Sequence, residues 1–105
     1  MNTMSLIKAT KDNINEILAS EKRVLIDFYA DWCGPCQMIA PFIEQIANEH
    51  PEYVVAKVNV DEETELAAQY DVRGIPLLMV FENGEVIRQA AGTRPKQAIL
   101  DLIKG

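Results

Sequence analysis

Cys33 and Cys36 are the only cysteines in the 105-residue sequence, and Gly34 and Pro35 stand between them. At positions i and i+3 of a helix, two side chains share a face with Cβ atoms roughly 5–6 Å apart. A disulfide needs about 3.5–4.5 Å, so the bond can form and open after a small adjustment. A helix beginning here would place Cys33 at its N-terminus, where free amides and the helix dipole stabilise a thiolate. The spacing therefore predicts reversible thiol–disulfide chemistry, with an exposed, attacking Cys33 and a more sheltered Cys36.

Three other roles for the two cysteines compete with this interpretation. Zinc requires four ligands, and the sequence offers only His50 as a further soft ligand. A purely structural disulfide would close a loop too short to constrain the unfolded chain much. Two cysteines buried by chance are the third alternative, which Trp32 and the intervening Gly-Pro pair disfavour.

Length, composition and charge set limits on the class of protein. A chain of 105 residues with 49% hydrophobic and 25% charged residues predicts one globular domain, residues 1–105. The net charge of −6 argues against nucleic acid or an anionic membrane as a partner. Met1–Lys11 lacks the apolar stretch of a secretory signal, and no apolar run could span a bilayer. We therefore expect a cytoplasmic protein.

Apolar runs typical of strands alternate with segments of helical periodicity, and Asn83-Gly84 is a strong two-residue hairpin signal. This order predicts an α/β fold of three layers, with a mixed sheet between two layers of helices. The predicted strands are Ser5–Lys8, Val24–Ala30, Tyr53–Val60, Leu77–Glu82 and Glu85–Ala90. The predicted helices begin after Thr10 or Asp12, at the cysteines, at Glu62 and near Pro95, and the second helix ends before Pro51.

Local features suggest how the helices begin and bend. Thr10 or Asp12 is expected to cap the first helix, and the acidic run Asp61–Glu63 the third. Pro41 lies inside the second helix and removes one amide, so a kink is expected there.

The methionines and the single histidine have simple structural interpretations. Met4, Met38 and Met79 are expected to fill gaps in the core. His50 is expected to be a solvated residue near a helix end.

The segment Asp31–Cys36, with the sequence DWCGPC, resembles the active site of the thioredoxin family. The resemblance extends over essentially the whole chain, because further family landmarks follow in the same order. These are Asp27-Phe28, Pro41, Lys57, Val72–Pro76, Phe81, Asn83-Gly84 and Gly92. The resemblance implies a thioredoxin fold with a mixed five-stranded sheet and four helices, and the activity of a protein-disulfide reductase.

The resemblance also implies roles for individual residues. Cys33 attacks the substrate disulfide, and Cys36 resolves the mixed disulfide that results. Asp27, an acid within a buried apolar run, helps to deprotonate Cys36. A simpler interpretation makes Asp27 the ion-pair partner of Lys57 on a neighbouring strand, and the two roles are compatible.

A flat, weakly apolar docking surface around the sulfur is implied as well. The Ile75–Pro76 bond is expected to be cis, and the backbone of Ile75 to face an extended substrate segment. The docking surface comprises Trp32, Gly34, Pro35, Gly74, Ile75, Pro76 and Gly92. The implied partners are disulfide-containing proteins and a flavoprotein reductase. No metal or cofactor is implied beyond the Cys33–Cys36 disulfide, and the chain is expected to be a monomer.

Four positions depart from the commonest family pattern: Tyr29, Gln37, Leu77 and Thr93. None of them removes a reacting group, so they affect the expected choice of partner rather than the activity. Two other functions stay open on the sequence: a disulfide oxidase or isomerase, which the Gly-Pro pair disfavours, and a binding subunit whose redox activity is incidental.

Overall fold

A computed structural model describes residues 5–105 of the chain. Within these residues, nine strands and helices follow one another in the order that the sequence predicts. The strands are β1 (Leu6–Lys8), β2 (Arg23–Tyr29), β3 (Tyr53–Asn59), β4 (Leu77–Glu82) and β5 (Glu85–Ala91). The helices are α1 (Ile14–Leu18), α2 (Gly34–Glu49), α3 (Thr64–Gln69) and α4 (Lys96–Lys104).

The five strands form one mixed sheet in the order β1-β3-β2-β4-β5. β3 is parallel to both β1 and β2, whereas β4 is antiparallel to β2 and β5 is antiparallel to β4. In this register Asp27 of the central strand β2 lies opposite Lys57 of β3. Asn83 and Gly84, both at positive φ, form the turn between β4 and β5. The predicted mixed five-stranded sheet with four helices is confirmed.

The core divides into two apolar layers, one on each face of the sheet. The side chains of Ile26 and Phe28 pack on one face with α1 and α3. On the opposite face Leu25 packs with α2 and α4, which contribute Ile43 and Ile99. Because β2 alternates its side chains between the two layers, Asp27 must point towards the face that α2 covers.

The expected cap of α1 is wrong, and at α3 the acidic run supplies the N-cap residue but no capping hydrogen bond. Asn13, rather than Thr10 or Asp12, is the N-cap residue of α1, and its side chain turns back to accept a hydrogen bond from the Thr10 amide. At α3 the N-cap residue is Glu63, which makes no side-chain cap. The carboxylates of the acidic run Asp61–Glu63 instead bind groups elsewhere: the Trp32 indole, the Lys8 ammonium and the Lys11 amide.

The methionine prediction is half right. Met79 is buried as expected, but Met38 on α2 is 67% exposed, because it points away from the sheet. Met4 lies outside the described residues. His50 ends α2 as predicted, but its ring is only 24% exposed, because it stacks on Tyr53 and pairs with Glu52. α2 continues through Pro41 to Glu49.

No helix among residues 5–105 is long and apolar enough to cross a membrane.

Candidate functional site

Cys33 and Cys36 form a disulfide at the start of α2, with their Cα atoms 5.2 Å apart. Cys33 is the N-cap residue of the helix, and its extended backbone precedes the first turn. The amide of Cys36 points at the Cys33 Sγ from 3.2 Å. Pro35 lies in the first turn, where a missing amide leaves no helical acceptor unpaired. An anionic Cys33 sulfur would therefore meet an N–H donor that has no acceptor within the helix, and the positive end of the helix dipole.

The expected difference in exposure between the two cysteines is not seen. Cys33 is 4% exposed and Cys36 3%. Both sulfurs belong to one bond that packs with Ala30 and against Ile75, so neither stands free of the surface in the oxidised protein.

The loop before β4 lies against the disulfide. The Cys33 Sγ is 3.9 Å from the carbonyl oxygen of Ile75, and the Ile75–Pro76 bond is cis, as the resemblance implied. The amide of Gly92 donates to the carbonyl of Pro76 at 2.9 Å, which joins the end of β5 to this loop. Gly92 has φ +89°, a backbone conformation that favours glycine. Gly74 is exposed, and a side chain there would meet no neighbouring atom.

Trp32 stands beside the disulfide with 71% of its surface exposed. Its indole N–H donates to the Asp61 carboxylate at 2.8 Å. This partner was not predicted from the sequence, although a signal for it existed. Trp32 follows β2 and Asp61 follows β3, and the carboxyl ends of two adjacent parallel strands lie at the same edge of a sheet.

Gln37 is a second residue whose contact was not predicted from the sequence. Its side-chain amide donates to the backbone carbonyl of Asp31 at 2.7 Å. The contact ties the first turn of α2 to the segment that precedes the cysteines. Periodicity gives no signal for such a bond, because the loop backbone must first be placed.

Asp27 on the central strand β2 is only 4% exposed. Its Oδ1 has no hydrogen-bond partner among the described residues. Burial raises the pKa of this carboxyl to about 7, and the Lys57 charge opposes the rise only partly. Lys57 forms no ion pair with it in the part of the chain that the structure describes. Lys57 therefore acts on Asp27 through its charge from the neighbouring strand and not through a direct ion pair.

A cavity of about 250 Å³ lies between α2 and the sheet. Asp27, Cys36 and Lys57 line it, so the buried carboxyl and the second sulfur face the same space. The shared cavity would let a water molecule carry a proton between them.

No cluster of three or more His, Cys, Asp or Glu side chains that could hold a metal ion occurs within residues 5–105.

Comparison with known proteins identifies the family. The thioredoxin family model matches residues 5–105. The chain is 46% identical to a thioredoxin of Chlorobaculum thiosulfatiphilum over 94 residues, covering 88% of this chain and 87% of the relative. It is 42% identical to a thioredoxin of Bacillus subtilis (strain 168) over 101 residues, covering 95% and 96%. The solved structure of a mutant thioredoxin from Halobacterium salinarum NRC-1 superimposes with a TM-score of 0.88 at 40% identity, covering 94% of this chain and 88% of that one. The chain belongs to the thioredoxin family and is a protein thiol–disulfide oxidoreductase.

Proposed function

We propose that Cys33 is the nucleophile and Cys36 the resolving thiol in the reduction of protein disulfides. The observation that carries this division is the Cys36 amide directed at the Cys33 Sγ from 3.2 Å, at the N-cap of α2. One helix end thus stabilises one of the two sulfurs as an anion. Cys36 lies one turn inside the helix and faces the cavity with Asp27.

The reaction consists of two thiol–disulfide exchanges. The Cys33 thiolate attacks one sulfur of the substrate disulfide, forms a mixed disulfide and releases the other substrate sulfur as a thiolate. Cys36 then gives its proton to Asp27 and attacks the Cys33 sulfur. The bond to the substrate breaks, the Cys33–Cys36 disulfide forms, and the second substrate thiolate leaves. Two electrons pass to the substrate, whose thiolates take up two protons. Asp27 suits its step because a carboxyl with a pKa of about 7 can accept and return a proton near neutral pH.

Substrate docking is proposed to use the surface around the disulfide. The Ile75 carbonyl, 3.9 Å from the Cys33 Sγ, offers a backbone acceptor to an extended segment, in the manner of strand addition. Exposed Trp32 adds apolar area beside the sulfur. Lys57 is proposed as a supporting residue whose charge lowers the pKa of Asp27 without cancelling the rise that burial causes. The rest of the proposed docking surface is Gly34, Pro35, Gly74, Pro76 and Gly92.

The direction of the reaction, from protein dithiol to substrate disulfide, suggests an electron donor and a cellular location. After each turnover the disulfide must be reduced again, and we propose a thioredoxin reductase as the electron donor. Thiols are kept reduced in the cytoplasm, which suits a disulfide reductase, so the cytoplasm is the proposed location. The chain is proposed to act as a monomer, and its net charge of −6 argues against nucleic acid as a partner.

The division of roles is tested by trapping. Cys36→Ser should accumulate a mixed disulfide with a disulfide-containing protein substrate, because the resolving thiol is gone while Cys33 still attacks. Cys33→Ser is the matched control and should trap almost nothing. Complexes are counted on non-reducing gels and must disappear with dithiothreitol. Equal capture by both variants would show that the sulfurs are interchangeable and refute the assignment.

A further inference from the structure

The Lys57 ammonium has two possible partners on β2, the Asp27 carboxylate and the Tyr29 ring, and it contacts the ring. Asp27 lies directly opposite Lys57 in the sheet register, while Tyr29 lies two residues further along β2 on the same face. The Lys57 Nζ is 5.2 Å from the centroid of the Tyr29 ring. That distance lies within the range of a cation–π interaction. The ammonium group thus rests on the ring rather than on the carboxylate opposite.

This placement leaves Asp27 without an ion-pair partner in the part of the chain that the structure describes. Its Oδ1 is buried and receives no hydrogen bond from the described residues. A lysine stem is long and flexible, so contact between the ammonium and a buried carboxylate would be expected if nothing else attracted the charge. Tyr29 supplies that other attraction.

We propose that Tyr29 is a positioning residue: its ring holds the Lys57 ammonium away from Asp27, which keeps the buried carboxyl able to accept the Cys36 proton. The inference rests on the proposed role of Asp27 and adds a residue that sets its strength as a base. An ion pair with Lys57 would stabilise the carboxylate and make it a weaker proton acceptor.

Each element that packs around Asp27 contributes its own neighbouring groups. β4 places apolar Leu78 opposite it, and α4 adds apolar Ile99 to the same layer. The Lys8 ammonium of β1, next to Lys57 in the register, is paired with Glu62 at 3.0 Å. The remaining titratable groups that line the cavity are Asp31, Cys36 and Glu44.

The test is a carboxyl ¹³C NMR titration of Asp27 in the oxidised protein, in which both cysteines are bonded and do not titrate. Tyr29→Leu removes the ring face, so Lys57 should move to the carboxylate and the pKa of Asp27 should fall by about 0.5 to 1. Tyr29→Phe keeps the face and loses only the hydroxyl, so the pKa should stay near that of the wild type. No fall in Tyr29→Leu, or an equal fall in Tyr29→Phe, would overturn the proposal.

Water entering the space left by the ring could also lower the pKa, and the Lys57→Met background separates the two causes. Lys57→Met alone should raise the pKa of Asp27, because a charge that lowers it is gone. Adding Tyr29→Leu to Lys57→Met should then change the pKa little. The same fall in both backgrounds would mean that the ring only excludes water, and the proposal would be wrong.

Two further variants cover the case in which Tyr29→Leu does not fold and test the role of Asp27 separately. If Tyr29→Leu does not fold, Tyr29→Trp replaces it: the larger ring face should hold the ammonium at least as firmly, so the pKa of Asp27 should stay or rise, and a fall counts against the proposal. Turnover of Asp27→Asn separately tests the role on which the inference rests. Unchanged turnover there would refute Asp27 as proton acceptor, whereas the pKa measurements on Tyr29 would still decide whether the ring positions Lys57.

Discussion

At the scale of single residues, Asp27 shows how function conflicts with stability. Its carboxyl is buried, lacks a hydrogen-bond partner for Oδ1 among the described residues, and has a pKa of about 7. A residue selected only for stability at this position would be apolar, like its neighbours Ile26 and Phe28. A titratable group in such a place is typical of a functional site.

Asp27→Asn should become more stable relative to the wild type as the pH rises. Below about pH 4 the carboxyl is protonated in both the folded and the unfolded chain and contributes nothing to the difference. Between about pH 4 and 7 the unfolded chain loses this proton while the native state keeps it, so wild-type stability falls with increasing pH. The rise in the pKa of Asp27 from 3.8 to about 7 lowers the wild-type free energy of unfolding by roughly 4 kcal/mol over this pH range.

Urea unfolding of both oxidised proteins from pH 4 to 8.5 measures this effect. The buried amide that the substitution introduces adds a cost that does not depend on pH, so the change with pH is the informative quantity. Asp12→Asn, which removes an exposed carboxylate, controls for the loss of one negative charge. A stability difference that stays constant from pH 4 to 8.5 would mean that burial does not perturb Asp27.

Trp32 should report the redox state of the protein. It is the only tryptophan in the sequence and adjoins Cys33, and a disulfide accepts electrons from an excited indole. Its emission should therefore rise when dithiothreitol opens the bond. The Cys33→Ser/Cys36→Ser double variant should not respond. Identical spectra of the oxidised and reduced wild type would argue that the indole and the disulfide are not coupled.

At the scale of elements, the end of α4 depends on arginines from two strands. The last carbonyls of a helix have no partner within the helix. Arg88 of β5 donates to the carbonyls of Leu102 and Ile103 at 2.7 and 3.1 Å. Arg23 of β2 donates to those of Ile103 and Lys104 at 2.8 and 2.6 Å. Positive charge at this end of a helix also complements its dipole.

Arg88→Met should lower the free energy of unfolding by roughly 1–2 kcal/mol, because two charged donors to partly buried carbonyls are lost. The matched control is Arg73→Met. Arg73 pairs with Asp71, but both side chains are largely exposed, and such pairs contribute about 0–1 kcal/mol. Urea denaturation of the three proteins gives the comparison. A loss for Arg88→Met no larger than that for Arg73→Met would show that the helix end does not need its arginine.

The helices and strands were predictable because local sequence patterns specify them. Several side-chain contacts were not, because they depend on how distant segments meet in space. The apolar run at 24–30 and the Asn83-Gly84 turn place β2 and the β4–β5 hairpin to within a residue. Periodicity cannot tell whether Met38 at the start of a helix faces the sheet or solvent, and it faces solvent. Nor can it tell that Asp61 binds Trp32 instead of capping α3, because that choice depends on where two strands end in space. The motif itself was recognisable, but the place of Lys57 over Tyr29 requires side-chain geometry.

At the scale of the whole molecule, net charge and the helix end act on Cys33 in opposite directions. The N-cap position and the Cys36 amide stabilise a thiolate, which favours the reduced form. A net charge of −6 disfavours one more anion, and neither Gly34 nor Pro35 adds a positive charge. The thiolate is therefore stabilised only moderately, and the disulfide should be hard to reduce.

The equilibrium reduction potential should accordingly lie at the reducing end of the dithiol scale. That scale runs from about −120 mV for a strong oxidant to about −270 mV, the latter being the known value for thioredoxins rather than one obtained from this chain. Equilibration with dithiothreitol buffers at pH 7, followed through Trp32 emission, gives the potential. Pro35→His, which puts a cation beside the thiolate, should move the potential towards the oxidising end, and each 30 mV corresponds to about 1.4 kcal/mol. A wild-type value near that of the oxidant would instead mean that the thiolate is strongly stabilised despite the negative charge of the chain, and the protein would then donate disulfides rather than reduce them.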